Sequence, residues 1–371
     1  MSEKANANRR TCFGTGLIAL DLVTNSNHAN ESLHQAWAGG SCGNVLTILS
    51  YLGWNSHPIA RIGSDLASKV IAEDMISHGV NFHYVLFDEL VHTPIVVQKI
   101  FIAKNGNLTH RFYWNCPNCG SSLPRYKPIR LKDVRNICEQ TPSMDCFYFD
   151  RVSPAALRLA EIAKQKGVLI VFEPTKIKHD SAFLRAMELC DILKYSNERV
   201  KNSPKLVYES KATLVIETLG AEGLKFRLRK KDKCGQWKQI PSFNVRNLND
   251  TAGAGDWCTA GLIHMITAKG PPPLKKMSEK QIKDSLKYGQ ALSALNCNFK
   301  GARGAMYGIQ KSRFEEEVRH VLFNKETSTV NKDFFRSKTK KSSECICPTC
   351  QTQNNINGKR ALITQELVIV K

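Results

Sequence analysis

No run of about 18 apolar residues occurs in this 371-residue sequence, which excludes a helical membrane span. Residues 1–10 are polar and lack the apolar centre of a secretory signal, so a cytoplasmic location is expected. Without a secretory route, Asn30-Glu31-Ser32 and Asn107-Leu108-Thr109 read as chance matches to glycosylation acceptors. Acidic residues are scarce. There are 33 Asp and Glu against 53 Lys and Arg, a formal net charge of +20. Such a charge concentrates polyanions near the surface and permits nucleic-acid contact. The Trp and Tyr residues, however, do not cluster with Lys and Arg as a stacking platform requires. A basic surface with a basic tail is the simpler reading, and nucleic acid is not the favoured partner. No internal repeat is present.

The length suffices for one large α/β domain with appendages, or for two smaller domains. The 13 cysteines are odd in number and spread along the chain. Cys42, Cys146, Cys190, Cys258 and Cys297 lie in apolar context and read as small core residues. A reducing compartment fits, with some thiols available for metal.

Residues 11–23 read as one buried strand, 42–53 as an apolar helix, 57–62 as a strand and 65–79 as a helix ending at Gly79. The β-branched run 93–102, the turn signal Asn105-Gly106-Asn107 and the alternating stretch 108–114 predict a hairpin. Beyond residue 131 strands and helices alternate. Strands are expected at 145–150, 168–173, 190–195, 213–218, 224–229 and 236–243. Helices are expected at 154–166, after the cap Ser153, and at 254–268 and 278–297. This order implies a mostly parallel sheet covered on both faces. The hairpin does not fit that layering and is expected to project as a lid.

The run Asp250-Thr251-Ala252-Gly253-Ala254-Gly255-Asp256 lies between a strand-like stretch and an apolar helix. Its glycines allow a tight turn, and the first N–H groups of the helix lack intrahelical partners. The backbone of Ala252, Gly253, Ala254 and Gly255 thus forms an anion hole suited to a transferring phosphoryl group. Asp256 stands where a carboxylate can accept a proton from an attacking hydroxyl. A glycine turn before a helix is by itself often only a cap; the whole heptad is far more specific. It resembles the signature of the ribokinase-like (PfkB-type) carbohydrate kinases.

Other segments agree with that resemblance. Gly39-Gly40-Ser41-Cys42-Gly43-Asn44 is similar to the family's substrate loop, and Asp21 to its sugar-binding carboxylate. Ile62-Gly63-Ser64-Asp65 is similar to the family's Gly-x-Asp. Thr218-Leu219-Gly220-Ala221-Glu222-Gly223 resembles the nucleotide-side loop. Asn197 fits the first position of the family's Asn-x-x-Glu, but Val200 stands where the carboxylate belongs, so Glu173 or Asp250 is expected to assist Mg²⁺. The resemblance covers about residues 10–310 and implies a Rossmann-type three-layer α/β sandwich with a small β-lid. It further implies phosphoryl transfer from ATP·Mg²⁺ to an alcohol group of a sugar or sugar-containing metabolite. Asp21, Gly39, Gly40 and Asn44 would hold the acceptor, and Asn197, Thr218, Gly220 and Gly223 would serve ATP. Two alternatives stay open. One is a nucleoside kinase of the same superfamily. The other is a non-catalytic sugar or nucleotide sensor that binds nucleic acid or a protein. Within the lid, His110 and Arg111 could face an acceptor, although exposed edge-strand charge is the plainer reading.

Two Cys-Pro-x-Cys knuckles, Cys116/Cys119 and Cys347/Cys350, lie outside the family's pattern. Together they offer four thiolates, the complement of a closed tetrahedral Zn²⁺ site. More than half the chain separates them, so folding must bring them together. The expected organisation is a kinase domain over 1–310, with a lid hairpin at 93–114 and a Cys-knuckle insertion at 115–128. A helix and basic linker over 311–344 and a zinc-binding appendage over 345–371 follow. Oligomeric state is not legible.

Overall fold

The computed structural model describes residues 9–25, 35–102, 108–140, 143–178, 180–198, 207, 210–230, 233–268, 274–328 and 346–352. The strands among the described residues are β1 (Thr11–Thr15), β2 (Ala19–Asn25), β3 (Gln35–Gly39), β4 (Asn55–Pro58), β5 (Ala60–Gly63), β6 (Val85–Asp88), β7 (Ile95–Ile102), β8 (Leu108–Tyr113), β9 (Cys146–Phe149), β10 (Leu169–Phe172), β11 (Ile192–Ser196), β12 (Leu214–Thr218), β13 (Leu224–Lys230), β14 (Lys233–Cys234) and β15 (Lys238–Ile240). The helices are α1 (Ser41–Tyr51), α2 (Leu66–Ser77), α3 (Leu131–Gln140), α4 (Pro154–Gln165), α5 (Ser181–Leu189), α6 (Ala254–Ile266), α7 (Glu279–Asn296), α8 (Gly304–Gly308) and α9 (Lys311–Asn324).

The central sheet runs β4-β1-β9-β10-β11-β12, all parallel, then antiparallel β13 with β14 and β15 paired to it. Side chains alternate between its faces, as a period of two requires. Cys146, Tyr148, Val171, Ile192 and Ile216 join one core with α1, α6, α7 and α9. Phe147, Phe149, Ile170, Phe172 and Val215 join the other with α3, α4 and α5. Two apolar faces need two layers of amphipathic helix, which gives the three-layer sandwich. Helix starts are set locally. Ser153 accepts the Ala156 N–H at 3.1 Å with Pro154 in the first turn, and Asp65 accepts the Ser68 N–H at 3.0 Å. The five cysteines expected in the core are buried.

The second sheet, β3-β2-β7-β8, is the lid. It is larger than the expected hairpin, because residues 11–23 form two strands rather than one. The Leu17 N–H bonds the buried Asp150 carboxylate at 2.9 Å, which turns the chain out of the central sheet. β2 then pairs with β7 in parallel and β3 antiparallel. Asp21 therefore lies within a lid strand, not at the end of the first strand. The stretch 57–62 is likewise split, with β4 in the central sheet and β5 paired to β6.

Helix α9 buries Phe314, Val318 and Val321 in the first core, so that core extends beyond residue 310. Of the C-terminal appendage only 346–352 are described, and Val200 and Cys345 lie outside the described residues. Among the described residues no helix is long and apolar enough to cross a membrane.

Candidate active site

Strand β15 ends at Ile240, and the approach to Asp250 is loop rather than the strand-like stretch expected. Asp250 is buried and braces the loop that follows. One carboxylate oxygen accepts the Ala252 N–H at 2.9 Å, the other the Gly301 N–H at 2.9 Å, and the Gln98 amide of the lid reaches both, at 3.3 and 3.1 Å. A buried carboxylate is stable only with such donors. With both oxygens engaged, Asp250 braces the loop. Gly253 caps α6 at φ 72°, and a Cβ there would lie 2.1 Å from the Ala302 carbonyl oxygen. Only glycine fits this approach.

Of the four expected anion-hole N–H groups, two are already spent. Ala252 donates to Asp250, and Ala254 donates to the Thr251 carbonyl at 3.3 Å. Those of Gly253 and Gly255 have no partner among the described residues. They lie at the positive end of α6, in whose first turn Asp256 stands.

Asn44 on α1 donates its amide to Asp256 at 2.7 Å, which joins the two glycine-rich motifs. Its side-chain oxygen is buried without a partner among the described residues. Asp21 lines a pocket with Trp37, Gln98, Arg303 and Tyr307. A Cβ at Gly39 would fall 2.0 Å from the Asp21 carboxylate, so glycine makes the room for it. Burial drives the Asp21 carboxyl up to about 7, although Arg303 and the Gly40 N–H pull it down. Arg303 is almost wholly buried. It pairs with Asp74 at 2.6 Å, and its Nη1 has no partner among the described residues. Trp37 and Tyr307 meet with ring centroids 4.5 Å apart.

The sequence reading passed over Lys194. It sits fully buried on β11 and pairs with Glu173 at 2.5 Å while donating to the Gly255 carbonyl at 3.1 Å. Burial lowers the ammonium's pKa, but Glu173 and nearby acids more than reverse this and leave it above its ordinary value. Glu173 also accepts the Thr259 hydroxyl at 2.6 Å. Its carboxylate is therefore a counter-charge to Lys194 beneath the loop. A lysine inside the apolar run Ile192-Leu193-Lys194-Tyr195 was the available signal. Arg303 was missed too, and the run Gly301-Ala302-Arg303-Gly304 carries no comparable local mark.

On the nucleotide side, Asn197 follows β11 and Thr218 ends β12, with the Asn197 N–H on the Thr218 carbonyl at 3.0 Å. The Asn197 side-chain oxygen is buried without a partner among the described residues. The Leu219 N–H closes the next loop on the Gly223 carbonyl at 2.8 Å, around the turn that starts at Gly220. Glu198 is exposed. Arg111 is exposed on the lid with its guanidinium over the Phe101 ring at 5.3 Å, whereas the His110 side chain lies outside the description. These strand ends all lie at the carboxyl edge of the parallel sheet, where open α/β folds bind ligands.

The two cysteine knuckles meet. Cys116 and Cys350 have sulfurs 3.8 Å apart, as do Cys119 and Cys347, and all four sulfurs lie within 4.8 Å of one another.

The pattern of pfkB family carbohydrate kinases matches residues 9–306. Fructokinase-1 of Zea mays is 26% identical over 326 residues, which span 80% of this chain and 94% of that protein. The crystal structure of an uncharacterized sugar kinase from Pyrococcus horikoshii in complex with ATP superposes with a TM-score of 0.61 at 23% identity, covering 83% of this chain and 99% of the other. A nucleoside kinase from Burkholderia thailandensis in complex with inosine gives 0.59 at 17% identity, covering 84% and 96%. The fold is thus ribokinase-like, and the chain belongs to the pfkB family of carbohydrate kinases, a family of sugar phosphotransferases.

Proposed function

We propose that this kinase transfers the γ-phosphoryl group of ATP to a hydroxyl of an uncharged sugar, with Asp256 as the base. The observation that carries this reading is the 2.7 Å hydrogen bond between Asn44 and Asp256. It holds the base at the meeting point of the acceptor loop and the N-terminus of α6. Asp256 takes the proton of the attacking hydroxyl. The N–H groups of Gly253 and Gly255 hold the charge of the transferring group. Asp21 accepts hydroxyl protons of the acceptor, while the Arg303 Nη1 and the Asn44 oxygen supply a donor and an acceptor for others. Because Asp74 and Asp21 already balance the Arg303 charge, the pocket suits a neutral polyol rather than an anion. Mg²⁺ bound with ATP supplies charge neutralisation along the phosphates. Asn197, with its unpartnered oxygen, is the residue that would face that ion's shell.

The test is ATP turnover across fructose, ribose and inosine, with Asp256→Asn beside the parent chain. Fructose is expected to be the best acceptor, and the variant to lose about 10²- to 10⁴-fold in kcat with unchanged thermal unfolding. Full turnover by Asp256→Asn would overturn the assignment of the base. A second reading, a nucleoside acceptor, draws on the Trp37–Tyr307 pair, which could stack on a base. A preference for inosine in the same panel decides for it.

A further inference from the structure

The cysteine cluster lies outside the phosphoryl-transfer site and has no part in it. Its geometry is restrictive. A tetrahedral Zn²⁺ with bonds of about 2.3 Å requires sulfurs about 3.8 Å apart. The Cys116–Cys350 and Cys119–Cys347 separations are 3.8 Å each. A disulfide needs about 2.05 Å, so these pairs are not disulfides. Cys116, Cys347 and Cys350 are buried and Cys119 is partly so, which describes a closed site without an open coordination position. Each knuckle is also shaped for a metal. The Gly120 N–H bonds the Cys116 carbonyl at 2.9 Å, and the N–H groups of Asn118 and Cys119 point at the Cys116 sulfur. In the second knuckle the Gln351 N–H bonds the Cys347 carbonyl at 3.0 Å.

The position of the cluster gives it a role. The first knuckle leaves β8 directly and folds back along the base of the lid. The Cys116 N–H bonds the Ser121 carbonyl at 2.8 Å, the Leu123 N–H bonds the Trp114 carbonyl at 2.8 Å, and the Ile95 N–H at the start of β7 bonds the Pro124 carbonyl at 3.1 Å. Among the described residues 346–352 of the second knuckle, the buried apolar side chains are Ile346 and the two cysteines themselves. So little apolar surface does not offset the entropy of fixing that segment. A metal bond does.

We infer that one Zn²⁺, bound by Cys116, Cys119, Cys347 and Cys350, is a clamp that fastens the C-terminal segment to the root of the lid. On binding, the thiol protons pass to solvent and no redox step is involved. The metal site stands apart from the kinase reading. The readouts below need no turnover.

The experiment uses untagged full-length protein and elemental analysis. One zinc per chain is expected, released stoichiometrically when a mercurial reagent titrates the thiols. The double variant Cys347→Ser, Cys350→Ser should lose the metal, while Cys138→Ser keeps it. Hydrogen exchange should rise at 346–352 and at 114–124 in the double variant. Should that variant misfold, the mercurial titration of the parent chain decides. The site is refuted by protein that neither carries zinc nor takes it up from a zinc buffer, by stoichiometric iron, by a mass deficit showing disulfides, or by zinc retained in the double variant. Unchanged exchange at 114–124 after zinc loss refutes the clamp.

Discussion

The substitution Asp21→Asn keeps the shape of the side chain and removes one buried charge. The Asp21 carboxyl has an ordinary value of 3.8 and is pushed up to about 7 in the folded protein. A gap of about three pH units, at about 1.4 kcal/mol each, is roughly 4 kcal/mol. The sign follows from proton counting. Between about pH 4 and about pH 7 the folded chain holds this proton and the unfolded chain does not, so the group's stabilising contribution is complete below about pH 4 and is lost as pH rises through about 7. Above that point the ionised carboxylate is a buried charge whose cost the neighbouring Arg303 only partly offsets. The amide of the variant does not titrate. Urea unfolding at pH 4 should therefore find Asp21→Asn and the parent chain within about 1 kcal/mol, and at pH 8 the variant more stable by about 4 kcal/mol. The same change should raise the acceptor KM by about 10- to 100-fold, because a charged acceptor of hydroxyl protons is gone. A residue that costs stability and serves binding shows both effects together. Parallel pH profiles for variant and parent would refute the reasoning, since Asp21 would then titrate alike in the folded and unfolded chain.

Lys194→Met removes the counter-charge of Glu173 and should cost about 3–5 kcal/mol, read as a lower urea midpoint. Adding Glu173→Gln should restore most of the loss, and a neutral single variant would mean that the pair does not support the loop. Gly253→Ala places a Cβ 2.1 Å from the Ala302 carbonyl oxygen at φ 72°, so the loop must shift. A kcat loss of about 10²-fold or more with little change in acceptor KM is expected, and unchanged kcat would show that this loop is not the cradle.

The features legible in the sequence are those that depend on neighbours along the chain. The turn of Asp250–Asp256 into a helix, the Ser153 cap, and the alternation of strand and helix are short-range consequences of glycine, capping side chains and apolar period. The heptad therefore specified the reaction type. What needed the tertiary structure depends on residues distant in sequence. Whether residues 11–23 serve one sheet or two rests on Asp150, far along the chain, which captures the Leu17 N–H. That Asp250 braces a loop rests on Gln98 and Gly301. The buried pairs Lys194–Glu173 and Arg303–Asp74 exist only because folding removes them from water together. The cysteine knuckles are plain in the sequence, but only packing brings their sulfurs to 3.8 Å, because no local rule couples segments so far apart.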